Sequence, residues 1–116
     1  STFLAPANAA AASKAVEIAE SLECDRPIWR ASASSLRQEL ETQDLQTIMG
    51  DSPVVPILVG EADLAIRAAE NLERDRLKVV AIRPPTVPEG AARLRMSYKA
   101  GLSIDGLAER LAGAIN

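Results

Sequence analysis

Apolar positions recur along the chain with a period that switches four times between helical and strand spacing. From Pro6 onward Ala12, Ala15, Val16, Ala19 and Leu22 return at helical spacing, which predicts a helix over Pro6–Glu23. Pro6 suits a first turn because it has no N–H to satisfy there. An alanine-rich stripe of this kind predicts close packing against another surface. The pattern breaks at Cys24-Asp25-Arg26-Pro27, where Asp25 can cap and Pro27 can open a second helix. Trp29, Ala33, Leu36 and Leu40 give that helix one apolar face and predict it over Pro27–Glu41.

Beyond Ser52 the pattern becomes that of strands. Val54, Val55, Ile57, Leu58 and Val59 form a β-prone run over Val54–Val59. Pro53 and Pro56 interrupt it, which demotes it to an edge or bulged strand, and Gly60 ends it. Leu64, Ala65, Ala68, Ala69 and Leu72 mark a helix over Ala62–Arg74. Two more strands are predicted over Leu77–Ile82 and Ala91–Ser97, then a last helix over Ser103–Ala114 with Ser103 as N-cap. The order is α-α-β-α-β-β-α. A short connection between the last two strands favours antiparallel pairing. The expected class is α+β, a small mixed or antiparallel sheet with helices mainly on one face. Residues 1–50 read as a helical lead-in and 51–116 as the sheet-and-helix core.

Composition narrows the chemistry. The 116 residues suit one modest domain, and 47% apolar content with 25% charged residues suits a packed core. A net charge of −3 with 13 dispersed basic residues argues against nucleic acid and acidic membrane surfaces as partners. No apolar run approaches the roughly 20 residues that span a bilayer. Cys24 is the only cysteine, which excludes an internal disulfide and suits a reducing, cytoplasmic setting. The chain has no histidine, so Ser-His and Cys-His nucleophiles are excluded and a zinc site is not expected.

Chemistry concentrates between Ala81 and Arg95. In an extended strand Arg93 and Arg95 share one face, and Leu94 and Met96 the other. A guanidinium beside a rigid loop suits bidentate capture of a carboxylate, while the bland alternative is a pair of solvated edge arginines. Between the strands, Arg83-Pro84-Pro85-Thr86-Val87-Pro88-Glu89-Gly90 is a loop stiffened by three prolines. Thr86 can donate to a ligand or cap its own turn. Gly90 is expected at a positive φ where the loop re-enters the strand. Asp105 and Glu109, four apart, read as a solvated helix face, and Trp29 as a packing anchor.

The pieces SPVVPILVG and AIRPPTVPEGAARLR, followed by a helical tail, resemble the C-terminal small domain of the α-oxoamine synthases. STFLAPANAAAA is similar to the segment that follows the active-site lysine region of that family. The resemblance covers most of the chain, with Leu22 to Gly50 its least diagnostic part. The family is a fold-type-I pyridoxal-phosphate group that condenses an amino acid with an acyl thioester, on coenzyme A or acyl-carrier protein, and releases carbon dioxide. What it implies here is that Arg95 holds the amino-acid carboxylate, Arg83 and Thr86 face substrate, and Thr2 reaches the cofactor phosphate of a neighbouring subunit in a homodimer. The family's cofactor lysine, ring-stacking histidine and ring-nitrogen aspartate are expected upstream of Ser1. Lys14, Lys78 and Lys99 match none of them, so this stretch alone is expected to be inactive. Where relatives often carry Ala-His-Thr, this chain has Ala100-Gly101-Leu102-Ser103. Another condensing enzyme of the same fold and a stand-alone binding or assembly module stay open as readings. On the expected topology Arg83 and Arg95 lie within about 15 Å, some three strand spacings.

Overall fold

A computed structural model describes residues 3–22, 26–99 and 101–116. Its elements are α1 (Pro6–Ser21), α2 (Arg26–Thr42), β1 (Val54–Gly60), α3 (Ala62–Arg74), β2 (Val80–Ile82), β3 (Ala92–Ser97) and α4 (Leu107–Ile115). The strands form one antiparallel sheet in the order β1-β3-β2. The architecture is α+β, as the order of elements predicts.

Strand alternation divides the sheet into two faces. Val55, Ile57, Leu94 and Met96 point to one side, where Ala65, Ala68 and Leu72 of α3 cover them, and Leu107, Ala108 and Leu111 of α4 join the same core by packing on α3 and α2. Ala33, Leu36 and Leu40 complete this core from α2. Val54, Pro56, Leu58, Val80, Arg93 and Arg95 have the opposite parity and line a face that carries none of the buried core.

β1 is an edge strand, and its prolines are tolerated for that reason. The Leu58 N–H points away from β3 and donates to Gln46 O at 2.8 Å. Pro56, two residues earlier, turns its donorless nitrogen to the same outer side, so the ladder to β3 loses no bond there. Between Leu58 and Gly60 the register shifts, the bulge that ends the strand.

Two helices stop in the same way. Leu45 N–H donates to Leu40 O and Asp44 N–H to Glu41 O, and Asp44 takes φ +59°. In α3, Leu77 N–H donates to Leu72 O and Arg76 N–H to Glu73 O, and Arg76 takes φ +61°. Each is a paired-bond C-terminal motif closed by an apolar contact across the turn, Leu40 with Leu45 and Leu72 with Leu77. This corrects the expected strand over Leu77–Ile82. Leu77 is spent on ending α3, and pairing with β3 begins only at Val80.

The last helix also starts later than expected. Ser103 is not its N-cap: its hydroxyl accepts from Asp105 N–H at 3.2 Å and contacts Asp105 Oδ2, closing a local turn. Gly106, at φ +65°, is the residue that lets the chain enter α4.

The alanine stripe of α1 meets no surface among the described residues. No residue of α1 is buried, and Val16 and Ile18 stand 57% and 50% exposed. The radius of gyration is 17.1 Å, against about 13 Å for a compact chain of this length, because α1 stands off the core. Small side chains bury little area each, so they specify close approach only where a second surface exists.

Candidate functional site

β3 is central, so each of its outward side chains is flanked on both sides. Arg95 faces Pro56 on β1 and Val80 on β2, and Arg93 faces Leu58 and Ile82. Arg95 is therefore an exposed cation set among apolar neighbours on the uncovered face. It makes no hydrogen bond or ion pair among the described residues, which leaves its fork of donors open to a ligand. The two arginines are not equivalent. Arg93 is half-buried and its Nε donates back to Ala91 O at 3.1 Å, so part of its donor set is spent on its own strand.

Arg83 follows β2 directly and is exposed, also with no hydrogen bond or ion pair among the described residues. Thr86 closes the turn with its backbone: its N–H donates to Arg83 O at 3.0 Å. The peptide between Pro84 and Pro85 is cis. The Thr86 hydroxyl makes no hydrogen bond among the described residues, so it does not cap the turn. Gly90 takes φ +75° where the loop re-enters β3, as expected.

The ladder sets how far apart these groups lie. Val80 pairs with Arg95, and Arg83 follows the end of β2, three residues beyond Val80, a separation of about 11 Å at strand spacing. No hydrogen bond joins the two among the described residues. A substrate bridging them needs a carboxylate at one end and some length beyond it. One groove runs past Leu58, Gly60, Gly90 and Arg93, and another past Gly60, Asp63, Pro84 and Glu89. Neither includes Arg95 or Thr86.

Thr2 lies outside the described residues, as do Cys24 and Asp25. Pyridoxal phosphate needs an amine for its aldehyde and a cluster of donors for its phosphate. Lys14 is paired with Glu17 at 2.7 Å on α1, and Lys78 and Lys99 are exposed on separate segments. The described residues by themselves do not fit that group, whereas Arg95 fits a carboxylate.

One residue of consequence went unread in the sequence. Arg37 lies on the core side of α2, 5% exposed, and its hydrogen bonds among the described residues all go to backbone carbonyls. The signal was available: with Ala33, Leu36 and Leu40 as the apolar stripe, position 37 falls inside it.

No described helix is long and apolar enough to cross a membrane, and no cluster of metal-ligating side chains occurs among the described residues.

The fold is an α+β sheet-and-helix domain with two arginines on its uncovered sheet face. The family model for aminotransferase class I and II matches residues 1–115, and the chain belongs to that family. It is 44% identical over 116 residues to the 8-amino-7-oxononanoate synthase of Methylorubrum populi, covering 96% of this chain and 28% of that protein. The chain thus spans little more than a quarter of that relative's length. Among solved structures, 8-amino-7-oxononanoate synthase from Francisella tularensis superposes with a TM-score of 0.73 at 23% identity, covering 86% of this chain and 30% of that one. A structure of SPT with PLP gives a TM-score of 0.65 at 25% identity, covering 78% of this chain and 23% of that one.

Proposed function

We propose that this chain is the C-terminal small domain of a pyridoxal-phosphate-dependent α-oxoamine synthase, and specifically of an 8-amino-7-oxononanoate synthase. The reaction is the biotin-pathway condensation of L-alanine with a pimeloyl thioester, with loss of carbon dioxide. The observation that carries the reading is Arg95: an exposed guanidinium in the central strand, without a bonded partner among the described residues and with apolar neighbours on either side. Such a group captures a carboxylate bidentately and orients it. The motif Ile82-Arg83-Pro84-Pro85-Thr86 and the 44% identity to the Methylorubrum populi enzyme support the same member of the family.

In this reading Arg95 fixes the alanine carboxylate, and Arg83 and Thr86 face the entering acyl thioester, on coenzyme A or acyl-carrier protein. Thr2 contacts the cofactor phosphate across the interface of a homodimer. The setting is cytoplasmic, with neither nucleic acid nor membrane as partner. Residues 1–50 act as a helical lead-in and 51–116 as the small-domain core. The bare α1 stripe and the uncovered sheet face then meet the rest of the enzyme.

The likeness to SPT with PLP favours a second reading, a synthase of the same family with another amino acid and thioester. One assay separates them. The intact enzyme should release carbon dioxide from alanine only when a pimeloyl thioester is present, and this chain alone should show no turnover. Release from serine with a long-chain acyl thioester, and none with alanine, establishes the second reading instead.

The proline loop supplies a further test. Thr86→Val keeps the volume and removes a hydroxyl that the turn does not use. It should raise the Michaelis constant for the thioester or lower turnover, with alanine binding nearly unchanged. Unaltered kinetics would make the loop a connector only.

A further inference from the structure

β1 has a problem that edge strands share: its outer row of backbone groups faces no strand. Thr47 makes an isolated bridge to Ile57, and Gln46 O takes the Leu58 N–H, which satisfies the C-terminal half of that edge. Its N-terminal half runs through Pro53 and Pro56, which can donate nothing. By the same alternation as Leu58 N–H, the Val54 carbonyl points outward, and a single side chain takes it. Arg37 Nη2 donates to Val54 O at 2.8 Å and to Ser52 O at 2.8 Å. Its Nε donates to Ile48 O at 3.3 Å and its Nη1 to Ala33 O at 3.2 Å within α2.

A buried guanidinium with only carbonyl partners is a costly way to fill space, because burying a charge carries a large desolvation penalty. An apolar side chain in the α2 stripe would pack more cheaply. What the guanidinium achieves is geometric. Its planar fork joins three segments at once, α2, the loop through Ile48 and the start of β1, a task that no other side chain matches. The pinned end is Val54, which pairs with Ser97, and two residues further in Pro56 pairs with Arg95. A slip of β1 by one residue would carry its whole apolar face out of the core.

Resting on the proposed carboxylate role of Arg95, we infer that Arg37 is a positioning residue. It caps the outer edge of β1 and so holds the β1–β3 ladder that aims Arg95 at the substrate carboxylate. Arg37 touches no substrate. Its effect reaches the site only through the ladder, and the measurable consequence is coupling between the two arginines.

A double-mutant cycle in the intact enzyme tests this. Arg37→Lys keeps the charge but cannot bridge all four carbonyls. It should raise the Michaelis constant for alanine about fivefold, leave that for the thioester within about twofold, and add no further loss in an Arg95→Ala background. Arg37→Gln, a neutral donor, enters the same cycle if the lysine variant fails to fold. If the melting temperature falls while alanine binding stays at the parent value, Arg37 is a structural staple and the inference is wrong. Strictly additive losses also overturn it. Should Arg95→Ala itself leave alanine binding intact, the carboxylate reading and this inference fail together. A loss confined to Arg95→Ala, with Arg37→Lys silent, removes this inference alone.

Discussion

Arg95→Ala in the intact enzyme should weaken the hold on the amino-acid carboxylate by about 2–3 kcal/mol, on the order of 30- to 150-fold in the Michaelis constant for alanine. The expected size follows from the geometry of the central strand. Arg95 has Pro56 on one side and Val80 on the other, so the walls around the guanidinium offer a carboxylate no second partner. Loss of the fork leaves the anion against apolar surface, a position that costs more than the bond itself contributes. Arg95→Lys should recover only part of the loss, since an ammonium cannot reproduce two parallel donors. Arg93→Ala should do little, because its Nε is engaged by Ala91 O. Steady-state kinetics with alanine varied at a saturating thioester concentration reads all three. If alanine affinity survives Arg95→Ala and collapses with Arg93→Ala, the carboxylate site is displaced along the strand by one alternation.

The other large effect belongs to the opposite face of the same strand. Leu94→Ala should lower the free energy of unfolding by about 3 kcal/mol, within the range for a fully buried leucine truncated to alanine. Leu94 is wholly inaccessible to solvent and faces Ile57 on β1 and Ala81 on β2. Neither neighbour can move inward to fill the gap without bending the ladder, so most of the cavity should persist. In this chain by itself, Val80→Ala, on the uncovered face and 43% exposed, should cost less than about 1 kcal/mol. Urea denaturation of the two variants gives the comparison. Equal losses would mean that the two faces are not packed as described.

These predictions place function and stability on alternate residues of one six-residue strand, Ala92–Ser97. Leu94 and Met96 hold the domain together, while Arg93 and Arg95 look out from it. Substitutions at adjacent positions should therefore separate cleanly into kinetic and stability effects.

Much of this is legible in the chain itself. Local periodicity needs only neighbouring residues, so α3 appears over Ala62–Arg74 as its apolar spacing predicts, and β1 begins at Val54 as expected. The prolines marked β1 as an edge or bulged strand, and it is both, because a missing donor is tolerated only where no ladder partner needs it. The alternation of Arg93 and Leu94 assigned opposite faces, since a strand's period is set by its covalent geometry. The proline-rich loop and its resemblance to the α-oxoamine synthases pointed to the family before the fold was in view.

What tertiary structure decided lies where a residue's partner is distant in sequence. Leu77 is apolar and precedes β-branched residues, so locally it reads as strand. Its burial against the end of α3, with Leu72 O taking its N–H, made it a helix stop. Ser103 has the chemistry of an N-cap, but its turn with Asp105 moved the start of α4 to Leu107. Arg37 falls within the apolar stripe of α2, and only the fold brings the carbonyls of Ile48, Ser52 and Val54 onto it from 11 to 17 residues away. The two arginines on β3 differ for the same reason. Periodicity makes them equals in type and parity, and the bond from Arg93 to Ala91 O separates them, since Arg95 makes none among the described residues. Backbone periodicity is local and survives in sequence, whereas the satisfaction of buried polar groups depends on which segments the fold brings together.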